Sequence, residues 1–439
     1  FKHVNEPVPP PRTLNPDLNE GVEEVLLKAL AKKPGERYPR AGQLVEALTA
    51  ALRSSGVPEA VAISTPRQAT VTWWPPEVTE PAPAPGNPPY KGLQYFDEAD
   101  ADFYFGRELL TSKMVAQLAA AGQDNESGGE RFLAVVGASG SGKSSLVRAG
   151  LIPPLRRGEP LADGNLPPTE SQAWPVHVIT PTAHPLEALA TSLTRDTGSV
   201  AATAALIDDL AQDPRSLHLY VQRLLQNGPE TELGANVHKR LLIVVDQFEE
   251  LFTLCRDDVE RRAFVDNLLT AASIGSASLP ERAIDVTRNG PTVVVITLRA
   301  DFYAHCAQFA LLREALEKHQ LFIGSMSSEE LRRAITGPAE KGNWDFEPGL
   351  VDLLLQDVGD EPGALPLLSH ALLETWHRRR GRTMTLSGFH ESGGVRGAIA
   401  QSADKVLEQM DEEQQAIARK IFLRLTELGE GTQDTRRRA

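Results

Sequence analysis

One stretch constrains this chain more than any other. The apolar run FLAVV (132–136) passes without interruption into Gly137-Ala138-Ser139-Gly140-Ser141-Gly142-Lys143-Ser144 and then into SLVRAGL. A β-type run, a bend of the form G-x4-G-K-S and a helical run follow in the order that a phosphate-cradling loop requires. Each residue type has a physical reason. Glycines let consecutive backbone N–H groups curl around a β-phosphate, and the following helix adds its N-terminal dipole. Lys143 is suited to bridge β- and γ-phosphates, and the Ser144 hydroxyl to ligate magnesium. Gly137 to Ser145 are therefore candidate nucleotide-binding residues. The competing reading, a plain Gly/Ser turn, leaves the strand and helix flanks unexplained.

Further apolar runs repeat the first. VHVIT (176–180), LLIVVD (241–246) and TVVVITL (292–298) are short, nearly continuous and rich in Val and Ile, and helical stretches separate them. Such runs predict strands of a parallel sheet sandwiched by helices, an α/β fold. LLIVVD delivers Asp246 and then Gln247-Phe248-Glu249-Glu250 to a carboxyl-terminal sheet edge, where ligands sit in such folds. Asp246 is expected to hold magnesium through water, and Glu249 or Glu250 to orient the water that attacks a γ-phosphate. TVVVITL leads to Arg299, whose guanidinium could reach that phosphate; the alternative is a surface ion pair with Asp301.

At 439 residues the chain is too long for one ordinary core, and 41% apolar with 24% charged residues suits packed globular domains. A net charge of -14 argues against a broad nucleic-acid or anionic-membrane surface. Two cysteines, Cys255 and Cys306, are too few for a disulfide framework and fit a reducing, cytoplasmic setting. No run of apolar residues is long enough to span a membrane. The start at Phe1 and the stop at DTRRRA are read as cuts in a longer polypeptide.

Residues 1–53 include a helical pattern from 19, with Val22, Val25, Leu26, Ala29 and Leu30 on one face, a break at Lys33-Pro34-Gly35, and a second amphipathic helix from Ala41. Residues 54–89 turn to Pro, Ala, Thr and Glu and end in EPAPAPGNPP, which predicts an extended linker. Trp73-Trp74 within it is expected to dock on a neighbouring surface. No N/T-K-x-D guanine-reading tetrad occurs, so ATP is preferred over GTP.

Two resemblances refine this reading. NPDLNEGVEEVLLKALAKKPGERYPRAGQLVEAL resembles the last helices of a bacterial Ser/Thr protein kinase C-lobe, with Arg37 its most telling residue; HRD, DFG and Gly-rich loop elements do not occur here, so this chain alone is not read as a kinase. NPPYKGLQYFDEADADFYFGRE, VVGASGSGKSSLVRAGLIPPLRRG, VVDQFEELFTLC, ITLRADFY and GALPLLSHALLETWHRRRG, in that order, resemble the STAND signal-transduction ATPases, specifically the novel STAND NTPase 1 group. That resemblance implies a P-loop NTPase domain over 90–325, a helical module over 326–413 and the start of a winged-helix domain over 414–439. It further implies that Phe105-Gly106-Arg107-Glu108 borders adenine, that Arg299 is the first sensor, and that Pro366 of Gly363-Ala364-Leu365-Pro366 lies against the nucleotide. The implied function is a switch: ADP holds a closed form, ATP permits nucleotide-dependent homo-oligomer assembly, and hydrolysis resets it, with an N-terminal kinase lobe and C-terminal WD40 repeats as partners in the same polypeptide. Two alternatives stand beside it, a regulatory scaffold that never turns its nucleotide over, and a parent protein that is chiefly a Ser/Thr kinase.

Overall fold

The structure, a computed structural model, describes residues 10–13, 20–31, 38, 43–44, 47, 51, 82–121, 131–226, 240–273, 290–359, 363–425, 427–428 and 435–436. Arg37, the Lys33-Pro34-Gly35 break, Ala41 and Trp73-Trp74 lie outside the described residues. The chain divides into two units, 1–77 and 78–439. In the first, the helix Glu20–Ala29 buries Val22 and Val25, and Ala51, Leu44 and Ala47 pack with them.

The second unit is organised by a five-stranded parallel sheet. Four strands coincide with the predicted runs: β1 (Phe132–Gly137), β2 (Val176–Ile179), β3 (Leu241–Val245) and β4 (Thr292–Arg299). A fifth, β5 (Gln320–Ile323), was not anticipated. The order across the sheet is β2-β3-β4-β1-β5. The continuous apolar character of the central strands follows from burial on both faces. In β1, Phe132, Ala134 and Val136 enter one core while Leu133 and Val135 enter the opposite one, and β3 and β4 divide in the same way. One core is covered by helices such as Pro185–Thr194 and Asp258–Ala271, the other by Glu108–Ala121 and the helix that leaves the glycine-rich bend. A buried Val, Leu or Ile side chain contributes about 1.5–3 kcal/mol, so these two layers dominate the stability of the unit.

The helix after the bend is irregular for a reason written in its sequence. It runs as an α-turn at Lys143–Ser145, widens to π-helical geometry over Leu146–Leu151 and returns to α over Ile152–Arg157. Pro153 and Pro154 have no N–H to give to the preceding turn, and Ile152 N–H reaches back five residues to the Val147 carbonyl.

After β5 come further helices: Ser328–Lys341, Leu350–Val358, Leu365–His377, Leu386–Glu391 and Gly394–Glu408. They share a core built around Ile335, Leu350, Leu354, Leu372, Trp376 and Met384. The helix Glu412–Leu425 and a two-residue antiparallel pairing of Glu427–Leu428 with Thr435–Arg436 follow.

The end of the proline-rich stretch does not behave as a free linker. Ala84 N–H donates to the Gly381 carbonyl at 2.9 Å, and the Ala84 carbonyl accepts from the Arg379 guanidinium. Arg379 is stacked on Trp376, 3.7 Å from the ring centroid, and on Trp344 at 4.8 Å. Gly86 lies so close to Trp344 that an added Cβ would stand 2.5 Å from the indole, which only glycine permits. Ala84 and Gly86 thus rest on the helical bundle.

Candidate nucleotide-binding site

The register of the sheet assembles the site. Gly137 at the end of β1 pairs with Arg299 at the end of β4, and Val245 of β3 pairs with Ile296, which sets Asp246 beside Thr297. All these ends point to one edge, the carboxyl-terminal crevice expected to take ligands. A cavity of about 380 Å³ opens there, within the range of small-molecule sites. Its wall includes Ser139 to Ser145, Gln247, Glu249, Thr297, Arg299, Arg107 and Pro366.

In the bend, Gly140 and Gly142 take left-handed conformations with φ of 72° and 87°. Lys143 is buried and its ammonium donates to the Gly137 and Ala138 carbonyls at 3.1 and 2.8 Å, so those two residues brace the lysine from behind and do not line the cavity. Burial pushes the Lys143 pKa below its ordinary value, while Glu249 opposes the shift.

Asp246 is 2% exposed and stands behind the cavity wall. Its Oδ1 accepts from the Ser144 hydroxyl at 2.9 Å and the Thr297 hydroxyl at 2.8 Å, and its Oδ2 accepts from Arg148 Nε at 2.9 Å. Burial works against the Arg148 charge, but the hydrogen bond and charge of Asp246 outweigh it and raise the Arg148 pKa. Among the described residues no group of three or more His, Cys, Asp or Glu is placed to hold a metal. The hydroxyl–carboxylate pair of Ser144 and Asp246 is nonetheless a hard oxygen set that suits magnesium, an ion that takes few protein ligands and completes its shell with phosphate oxygens and water.

The turn after β3 separates the two candidate glutamates. Gln247 adopts φ of 58°, a left-handed conformation that costs a non-glycine residue roughly 1–2 kcal/mol. Its N–H donates to the Thr297 hydroxyl at 2.8 Å, and Phe248 N–H to the Thr297 carbonyl at 2.9 Å, which hold the turn in place. Glu249 is consequently directed into the cavity, 8% exposed, and its Oε2 accepts from Arg299 N–H at 3.2 Å. Burial raises the Glu249 pKa, opposed by backbone hydrogen bonds and by the charges of Lys143 and Arg299. Glu250 starts the helix Glu250–Thr253 and is not on the cavity wall. Arg299 lines the cavity and also forms the ion pair with Asp301, at 2.6 Å from Nη2 to Oδ2.

Two segments close over the loop. Arg107, 5% exposed, donates to the Gly324 carbonyl at 2.8 Å and lies 3.8 Å from Glu330. The Ser145 hydroxyl accepts from Phe96 N–H at 3.1 Å, fastening the segment before Arg107 to the loop helix. From the other side, a Cβ on Gly140 would stand 3.1 Å from Pro366 Cγ and 3.2 Å from the Gly363 carbonyl oxygen, so the proline rests directly on the glycine-rich bend. Gly363 itself adopts φ of 85°, a left-handed conformation that favours glycine.

Arg148 and Thr297 were not among the sequence-derived candidates. Arg148 lies four residues beyond Ser144 on the same helix, and that spacing alone would have placed both on one face. Thr297 ends the apolar run before Arg299, two residues apart on one face of β4.

A parallel sheet whose inner strand runs into a glycine-rich bend and a helix, with a buried carboxylate at a second strand end, defines a P-loop nucleotide-binding domain. The chain belongs to the novel STAND NTPase 1 family, which it matches over residues 89–439, and so to the regulatory NTPases of the STAND class. A comparison with curated proteins gave no match. Among solved structures, the ORC1 protein of Aeropyrum pernix, determined in complex with DNA, is 17% identical with a TM-score of 0.44, covering 75% of this chain and 74% of that one. The ORC2 protein of Aeropyrum pernix, determined as ADPNP-ADP complexes, is 16% identical with a TM-score of 0.43 over 65% and 66% of the two chains. Cdc6p of Pyrobaculum aerophilum is 13% identical with a TM-score of 0.38 over 63% and 64%. Among the described residues no helix is long and apolar enough to cross a membrane.

Proposed function

We propose that this chain is an ATP-driven switch that binds magnesium-ATP and ADP in the crevice at the strand ends, hydrolyses ATP slowly, and converts the identity of its nucleotide into the fit between the glycine-rich bend and the helical module over 326–413. The observation that supports the reading is the seating of Pro366 on Gly140, which brings the helical bundle carrying that proline against the glycine-rich bend. In this reading the backbone N–H groups from Ser139 to Ser145 cradle the β-phosphate, and Lys143 leaves its two carbonyls to bridge β- and γ-phosphates. The Ser144 hydroxyl and the Asp246 carboxylate would hold magnesium, which would supply positive charge to the phosphate oxygens. Glu249 takes the proton of the attacking water as the bond from the γ-phosphorus to the β–γ bridging oxygen breaks, and Arg299 senses the γ-phosphate, exchanging Asp301 for it. Glu249 is preferred to Glu250 because it faces the cavity. Arg107 borders the base.

The wider assignments belong to the same proposal. Residues 1–53 are read as the end of a kinase C-lobe and 414–439 as the start of a winged-helix domain, so the output of the switch is a linked Ser/Thr kinase in the full polypeptide. Lys143→Ala is the decisive variant. Titration with a fluorescent ADP analogue should show binding lost, and retention of micromolar ATP affinity would remove the site from the crevice.

A further inference from the structure

One oxygen of Asp246, Oδ2, is already taken by a cation that belongs to the protein. Arg148 Nε donates to Oδ2 at 2.9 Å, and the Arg148 side chain is 15% exposed against 3% for that of Asp246. Two further contacts hold the guanidinium where it is, and its helix is tied to the same carboxylate a second time. Its Nη1 lies 3.7 Å from Asp97 Oδ1, its central carbon stands 4.7 Å over the Tyr95 ring, and its own helix carries Ser144, whose hydroxyl is bonded to the other oxygen of the same carboxylate. A single buried carboxylate is thus shared between a resident guanidinium on one oxygen and, on the other, the two hydroxyls of Ser144 and Thr297.

Two electrostatic consequences follow when a nucleotide enters beside this group. Without a metal, a polyphosphate approaching an uncompensated buried carboxylate would be repelled in a medium where charges are weakly screened. Arg148 compensates that carboxylate in advance. With a metal, the divalent ion meets a fixed positive charge across the carboxylate that should attract it, and its own hold on Asp246 is weakened. Both consequences act in the same direction on one measurable quantity, the ratio of nucleotide affinity with magnesium to that without it.

We propose that Arg148 is a built-in counter-cation of Asp246 that sets the metal dependence of nucleotide binding, allowing nucleotide to stay bound when magnesium is absent and lowering the gain when magnesium arrives. The inference rests on the nucleotide reading of the crevice. It assigns Arg148 a positioning role through Asp246 and no contact with nucleotide; Arg148 is not on the cavity wall.

The test is a set of titrations of the full chain with fluorescent ADP, in EDTA and in excess magnesium, on wild type, Arg148→Gln and Arg148→Lys. Wild type should bind in both conditions. In Arg148→Gln the affinity in EDTA should fall by about ten- to a hundredfold, the equivalent of a hydrogen bond to a charged group, while the affinity in magnesium is kept or improved. Arg148→Lys keeps the charge and should retain a ratio near that of wild type. An unchanged ratio in Arg148→Gln overturns the proposal, as does an Arg148→Lys variant that behaves like Arg148→Gln. Should Arg148→Gln fail to fold, wild type still decides: complete loss of ADP binding in EDTA overturns it. If instead wild type binds no nucleotide in either condition, the reading of the crevice itself has failed, a separate result.

Discussion

The two walls of the crevice are built by different rules. One wall is the sheet edge, with Lys143 and Ser144, Glu249 and Arg299 each placed by the end of a strand buried on both faces. The other wall is made of pieces brought from far away, the segment from Tyr90 to Arg107 and the start of the helix Leu365–His377. The first wall is positioned by strand registers that cannot slip without exposing two cores. The second is positioned by specific contacts between distant segments: Tyr90 hydroxyl to the Ile335 carbonyl at 2.6 Å, Phe96 N–H to Ser145, Arg107 to the Gly324 carbonyl, ion pairs of Asp97, Glu98 and Asp102 with Arg148, Arg156 and Arg157, and Pro366 on Gly140. In the proposed reading the hydrolytic groups sit on the sheet wall, and the facing wall is fixed by contacts between segments far apart in the chain.

The largest effect is expected on the sheet wall. Glu249→Gln should slow ATP turnover by about a hundredfold or more, the scale of a lost general base, while Glu250→Gln stays close to wild type in a phosphate-release assay. Reversed ranks would move the proton acceptor to Glu250. The same variant has a stability signature. Burial raises the Glu249 pKa, so the folded chain holds that proton more tightly than the unfolded chain; this contribution is present below the ordinary carboxylate range and is lost as pH rises through the raised value. The melting temperature of Glu249→Gln relative to wild type should therefore increase as pH rises upward from the ordinary carboxylate range.

Next is the seam between the walls. Gly140→Val forces a branched side chain into φ of 72° and against Pro366, a strain of about 1–3 kcal/mol. ADP affinity should drop by about ten- to a hundredfold in the fluorescent titration, and wild-type affinity would mean that the bend needs neither this conformation nor this contact. The smallest effect belongs to the facing wall. Ser145→Ala leaves Phe96 N–H without its acceptor and should lower unfolding free energy by about 1 kcal/mol in urea, with turnover per bound ATP maintained.

The same division explains what the sequence revealed. The sheet wall was readable because each part is local: a strand of continuous Val and Ile ends, and the residue of interest follows. Asp246, Lys143 and Arg299 were found in this way. β5 escaped because it is a short edge strand whose apolar run is only Leu321-Phe322-Ile323, too brief to stand out from the helix before it. The strand order, with β4 between β1 and β3, depends on how the crossovers pack and leaves no local trace. The choice between Glu249 and Glu250 depended on the left-handed turn at Gln247, a conformation that a glutamine does not advertise. Arg107 and Pro366 were reached by family resemblance alone, since no periodicity or spacing links them to a loop hundreds of atoms away along the chain.

The seating of Ala84 and Gly86 on Arg379 and Trp344 determines where mechanical load enters this unit. A pull on the chain ahead of Ala82 is borne first by the main-chain hydrogen bonds of Ala84 and by the indole beneath Gly86, and beyond them by Tyr90 through its bond to Ile335. Both bearings belong to the helical bundle that carries Pro366, and neither belongs to the sheet that carries Lys143. Tension is therefore delivered first to the part that rests on the glycine-rich bend, ahead of the strands.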